Sequence, residues 1–185
     1  MDYRSIPKVA VIGYAGDIEE YPVNTVSEIA KRVGALLGEK GYVVLTGGRD
    51  GIMHIVSREA AEKDAIVLGI TPYKDGGITP YAIEISTGLD MAMRSGVLLN
   101  SADIVISIGG AAGTAIEIFM AYSYRKPLIL MRGTGGWTDR LISILESDNT
   151  LDGRSLDYRS AGGVYIADNV EMLEELLDKL TGQGK

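Results

Sequence analysis

Gly109, Gly110, Gly113 and Thr114 are the residues of this chain whose types and spacing most directly suggest chemistry. They follow the β-branched run Ile104-Val105-Ile106-Ser107-Ile108, which reads as a strand buried on both faces. From Thr114 the apolar spacing turns helical, through Ile116, Ile118, Phe119, Met120 and Tyr122. A strand, a glycine turn and a helix in that order aim backbone N–H groups outward. The helix dipole adds about half a positive charge at the same point. The expected ligand group is therefore an anion, and a phosphate fits best. Pro127 closes the helix and Leu128–Met131 begins another strand, so the cradle belongs to a βαβ unit.

Two more glycine turns are candidates for ligand contact. Gly13 and Gly16 follow a strand expected over 9–12, and Gly47, Gly48 and Gly51 follow one over 42–45. The first turn is no dinucleotide fingerprint, because G-x-G-x-x-G is absent and no acidic residue ends the second strand. No Gly-Lys-Ser/Thr follows any of the glycines, which excludes a Walker loop. Tight packing alone explains the glycines of the first turn equally well. The chain has no Cys and one His, which excludes disulfides and argues against any metal site. A net charge of −7 speaks against nucleic acid as a general partner, since that requires a basic face.

The elements that would hold these turns alternate along the chain. The expected order opens with the 9–12 strand and a helix begun by a Thr25/Glu28 capping box, with Val26, Ala30, Val33 and Leu37 on its apolar face. It continues with the 42–45 strand, a helix running to about Lys63, a strand over 66–70 and a surface loop over 71–81. Then come a short strand Ile83–Ser86, a helix over 91–100 and the central unit. A third glycine loop at 132–136 leads to a helix over 137–146, an irregular stretch at 147–163 and a last strand Val164–Ala167. Asp168 or Asn169 caps the final helix, and 181–185 fray. Strands alternating with helices define a single domain over 1–185. It is α/β and doubly wound, with a mainly parallel sheet covered by helices on both faces, and so Rossmann-like. Right-handed crossovers bring the 13–16 and 109–113 loops together at the switch point, where such sheets bind ligands. No apolar run approaches about 18 residues and no signal peptide is evident, so no membrane contact and a cytoplasmic location are expected.

Residues 109–117 resemble the PGGxGTxxE signature of the LOG-like family, also called lysine-decarboxylase-like. Gly110, Gly113, Thr114 and Glu117 match, with Gly109 in place of the proline and Ala111 in place of a glycine. The family's Arg-Lys pair, in a helix beginning with Met, is similar to Met91-Ala92-Met93-Arg94-Ser95, where Ser95 replaces the lysine. Its GGGxxGLMG segment resembles 46–54, with Gly47, Gly48, Gly51 and Met53 matching. The resemblance spans about residues 8–131. It implies hydrolysis of the N-glycosidic bond of a nucleoside 5′-monophosphate, giving a free base and ribose 5-phosphate with no required cofactor. Glu117 would stabilise the oxocarbenium-like sugar and orient water, and Arg94 would hold the phosphate or assist the leaving base. Gly109, Gly110, Gly113 and Thr114 would seat the phosphate. A homo-oligomer, dimer or tetramer, is implied as well. The same group includes a molybdenum cofactor carrier whose IGGxAGT-like loop is similar to 108–114. The alternative is therefore a non-catalytic carrier of molybdenum cofactor or of another phosphorylated pterin or nucleotide. A related DNA-processing role is disfavoured by the acidic charge. No lysine is placed for a pyridoxal Schiff base, so decarboxylation has no support.

Blander roles remain open for the same residues. Thr114 and Glu117 have the spacing of a capping box. Arg94 could be an ordinary ion-paired residue, and His54 a structural one. Asp50 and Asp90 suit a turn and a cap. Trp137 could stack on a base, but a core or subunit contact is the simpler expectation. Met91 and Met93 suit the core or an interface.

Overall fold

The computed structural model describes residues 5–73, 77–147, 156 and 163–182. The described residues form seven strands and six helices, which alternate except where the third and fourth strands follow one another. They are β1 (Lys8–Gly13), α1 (Val23–Glu39), β2 (Val43–Thr46), α2 (Gly51–Ala61), β3 (Val67–Thr71), β4 (Ile83–Ser86) and α3 (Met91–Ser101), followed by β5 (Ile104–Ile108), α4 (Ala112–Ser123), β6 (Leu128–Met131), α5 (Gly136–Ser147), β7 (Val164–Ala167) and α6 (Val170–Thr181). All neighbouring strands pair in parallel, in the order β4-β3-β2-β1-β5-β6-β7. The order reverses between β1 and β5, and that junction is the switch point.

Side-chain alternation along β1 divides the core into two layers. Val9 and Val11 face a cluster that includes Val33 and Leu37 of α1, Val56 of α2 and Leu173 of α6. Ala10 and Ile12 face Leu98 of α3, Ile118 of α4 and Leu141 of α5. Every residue of β5 is buried, as its uninterrupted apolar run requires. Each large aliphatic side chain fully removed from water contributes about 1.5–3 kcal/mol. The central strands thus form the buried middle of the molecule, and the turns follow directly from their C-terminal ends.

Two local expectations are corrected. Helix α1 starts at Val23 with Pro22 at the N-cap, so Thr25 and Glu28 form no capping box. The Thr25 hydroxyl instead donates to the Pro22 carbonyl at 2.6 Å. Burial of Val23, 1% exposed, favours the earlier start. The described part of the 71–81 stretch is not merely a surface loop. Thr79 is buried, its N–H donates to the Gly48 carbonyl at 2.7 Å, and its hydroxyl lies 2.9 Å from His54 Nδ1. The contact pins this stretch onto the β2–α2 turn. At α6 the cap is Asn169, whose side chain accepts from the Met172 N–H. Most of 147–163 and the end of 181–185 lie outside the described residues.

Candidate functional site

Ile108 at the end of β5 is the register partner of Gly13 at the end of β1. The two turns that follow therefore lie side by side at the sheet's C-terminal edge. Gly109 has φ +62°, and a Cβ there would overlap the Tyr14 ring. Only glycine lets Tyr14 press onto this backbone. The turn is also stitched to the start of α5. The Gly109 N–H donates to Thr134 Oγ1 at 2.8 Å, Thr138 Oγ1 donates to the Gly109 carbonyl at 2.6 Å, and the Trp137 N–H donates to the Gly110 carbonyl at 2.9 Å.

Helix α4 begins at Ala112, two residues earlier than its apolar pattern suggested. Its N-cap, Ala111, offers no side-chain acceptor. The N–H groups of Ala112, Gly113 and Thr114 therefore have no partner within the helix. The capping box drawn from Thr114 and Glu117 does not form. The Thr114 hydroxyl donates to the Gly13 carbonyl at 3.0 Å, and Glu117 turns to α3 instead. The earlier start places Thr114 inside the first turn, directly over β1. Its hydroxyl ties the two turns together.

A cavity of about 460 Å³ opens beside this helix start. That volume lies in the ~300–1,000 Å³ range of small-ligand sites. Gly13, Gly113, Thr114 and Glu117 line it from β1 and α4, and Arg94 and Ser95 line it from α3. Arg94 is only 5% exposed. Its Nε is buried and has no hydrogen-bond partner among the described residues. A Cβ on Gly47 would stand 3.0 Å from Arg94 Nη1, so the bare backbone there makes room for the guanidinium. Burial lowers the Arg94 pKa; the nearby Glu117 charge opposes this and Arg49 reinforces it. The guanidinium stays protonated all the same.

Glu117 lies across from it. Ser95 Oγ donates to Glu117 Oε1 at 2.8 Å. Burial raises the Glu117 pKa, while the Ser95 hydrogen bond and the Arg94 charge hold it down. The result is a carboxylate from α4 and a guanidinium from α3 facing one cavity, beside the uncapped start of α4. Bare helix-start amides and a guanidinium are groups that attract an anion, and the carboxylate beside them can accept a proton.

The remaining sequence candidates fall around this cavity. Gly110 lines an adjoining cavity with Ala111 and Ala112. Gly16 and Gly51 brace the two early turns against each other, with the Gly51 N–H donating to the Gly16 carbonyl at 2.9 Å and the Ile52 N–H to the Tyr14 carbonyl at 3.0 Å. Those bonds use donors that the α2 start would otherwise offer to an anion. Gly48 packs against Gly69, and a Cβ on it would stand 2.8 Å from the Gly69 Cα. Gly109 stands behind the cradle, its N–H already committed to Thr134. Two participants were not singled out from sequence. Tyr14 lines both cavities, and its position between two glycines of the first turn was the available signal. Ser95 was visible only as a missing lysine. Among the described residues, no cluster of three or more acidic or His side chains could hold a metal. None of the described helices is long and apolar enough to cross a membrane.

Residues 6–160 match the family model described as SLOG cluster4. The chain belongs to the SLOG cluster4 family. Among its relatives, a protein of Archaeoglobus fulgidus is 37% identical over 120 residues, 64% of this chain and 76% of that one. The X-ray structure of TM1055 is 44% identical, covers 94% of this chain and 99% of its own, and superposes with a TM-score of 0.88. The molybdenum cofactor binding protein of the phototrophic bacterium Rippkaea orientalis is 27% identical, with 95% and 97% coverage and a TM-score of 0.74. The SLOG cluster4 protein described here thus has the Rossmann-like architecture of the LOG and molybdenum cofactor carrier group, as its glycine turns implied.

Proposed function

We propose that this SLOG cluster4 protein binds a small nucleotide-like phosphate ester at the β1–β5 switch point. The phosphate rests on the first-turn amides of α4, and the ester group extends over Arg94 and Glu117. The observation that carries this reading is the buried Arg94 guanidinium, whose Nε has no partner among the described residues and which lines the cavity beside an uncapped helix start. A guanidinium lining a cavity can donate charge-assisted hydrogen bonds to an anion bound there. Titration with AMP, with inorganic phosphate as the minimal probe, tests the site. Saturable binding that weakens in Arg94→Met is expected. AMP affinity that is unchanged in that variant sinks the assignment.

A second reading, hydrolysis of the N-glycosidic bond of a nucleoside 5′-monophosphate, is favoured by Glu117. Its carboxylate is fixed by Ser95 in the same cavity as Arg94. In that reaction water adds at C1′ as the C1′–N bond breaks. The bonding pair leaves with the base, which takes up a proton, and ribose 5-phosphate remains. Glu117 would stabilise the cationic sugar and accept the proton of the attacking water. Free base released from AMP by the native chain but not by Glu117→Gln supports hydrolysis. Binding without base release supports a carrier of a phosphorylated pterin or nucleotide, the role suggested by the named ligand of the Rippkaea orientalis neighbour.

A further inference from the structure

The α4 N-terminus has a cavity on each side. The first holds Arg94 and Glu117. The second, of about 320 Å³, is bounded by Tyr21, Gly110, Ala112, Gly136, Trp137 and Arg140. Tyr14, Pro22 and Ala111 line both, so the two meet at the uncapped helix start. An anion seated on the α4 amides stands at that junction. A monoester there would extend into one cavity only.

The second cavity has a definite chemistry of its own. The Trp137 backbone N–H donates to the Gly110 carbonyl at 2.9 Å, which holds the start of α5 against the β5–α4 turn, and the Trp137 side chain lines the cavity there. The Arg140 guanidinium lies over the Trp137 ring, 5.5 Å from its centroid. Tyr21 is 83% exposed, a large ring with little protein packed on it. Aromatic faces beside a guanidinium are the usual surface for a planar heterocycle. The sequence offers base stacking or a core or subunit contact for Trp137, and its half-buried place at this cavity removes the core from that choice.

We propose that the ligand is two-ended: a phosphodiester or pyrophosphate sits on the α4 N-terminus, one end enters the Arg94–Glu117 cavity, and a planar ring enters the second against Trp137 and Tyr21. The inference rests on the phosphate-binding reading above. It narrows the ligand class to dinucleotide-like molecules, in which two groups flank the phosphate bridge.

Trp137 is the chain's one tryptophan, so its fluorescence reports on the second cavity directly. The test titrates the full chain with AMP, ADP and diadenosine 5′,5′-pyrophosphate, following both affinity and Trp emission. ADP controls for the added charge without a second ring. The diadenosine compound is expected to bind about tenfold or more tightly than ADP, the scale of one aromatic–base stack. It alone should change the Trp137 emission strongly. In Trp137→Ala the ratio between the two affinities should collapse to about one. Trp137→Phe, which keeps a ring and the packing, should retain most of it. Equal affinities for ADP and the diadenosine compound, or an emission change as large with AMP, overturn the two-ended ligand and leave the phosphate site standing. Failure of all three to bind overturns both readings.

Discussion

Replacing Arg94 by Met separates a ligand-binding arginine from a structural one. Met keeps most of the apolar stem and removes every donor. The guanidinium is 5% exposed, with an Nε that meets no acceptor among the described residues. That unmet donor works against folding by about 1–3 kcal/mol. Removing one partner of a tight buried ion pair ordinarily costs about 3–5 kcal/mol. Here the coupling is looser. Glu117 takes its hydrogen bond from Ser95, and Arg94 ranks behind that bond in holding the carboxyl pKa down. Without Arg94 the Glu117 pKa rises further, and the carboxyl can escape its isolation by taking up a proton. The two effects therefore largely offset each other. The expected stability change at pH 7 is within about 1 kcal/mol, or ~2–4 °C in Tm for a chain of this size. Binding responds differently. Charge-assisted hydrogen bonds to a phosphate contribute about 1.5–3 kcal/mol, so AMP affinity should fall by roughly 10- to 150-fold. Thermal melts and calorimetric titration on the same preparation measure both quantities. A loss of about 4 kcal/mol in stability, with AMP affinity of the folded fraction unchanged, would show that Arg94 is a structural ion-pair residue.

Further outcomes follow from the same geometry. Burial holds the Glu117 pKa above its ordinary value, so the folded chain binds that proton more tightly than the unfolded one. The resulting stabilisation is present below the unfolded pKa and is lost as pH rises through the folded value. Glu117→Gln should then raise Tm at pH 7 and leave it nearly unchanged at pH 4, as differential scanning calorimetry would show; a fall at pH 7 contradicts this. Burial lowers the His54 pKa, with Arg58 adding to the shift, so the opposite sign applies: its contribution is present above about pH 6.5 and is lost on acidification. His54→Gln should flatten the Tm profile between about pH 5 and 7, and an unchanged slope assigns the acid sensitivity elsewhere. Gly109→Ala forces a left-handed φ on alanine, at about 1–2 kcal/mol, and drives a methyl into the Tyr14 ring. A Tm drop of roughly 5 °C or more is expected. An unchanged melt would mean that the turn relaxes freely.

Much of the fold could be read in the chain because its signals are local. The strands Ile83–Ser86, Ile104–Ile108, Leu128–Met131 and Val164–Ala167 fall where their β-branched runs and flanking turns placed them. Right-handed crossovers led us to expect the early strands on one side of β1 and β5 on the other, and the sheet has that arrangement. The Thr25 and Thr114 capping boxes did not survive. In each case the helix gains more by starting earlier, where Val23 is buried or where Thr114 can reach the Gly13 carbonyl, than by closing a local ring of two side chains. The site was only half visible. Glu117 and Arg94 stand 23 residues apart in sequence, and motif resemblance singled them out. The roles of Tyr14 and Ser95 depended on which side chains they would face.

Composition and periodicity alone determined the parallel α/β layering, the glycine turn that ends β5, and the exclusion of thiolate chemistry. These follow from one residue's own conformational preferences or from spacing within one element. Tertiary structure decided which amide groups remain open. It closes the α2 start with carbonyls from the β1 turn and leaves the α4 start bare, although both follow a strand and a glycine turn. The difference lies in what packs across each turn, and a donor is available to a ligand only when no neighbour from a distant part of the chain has already taken it.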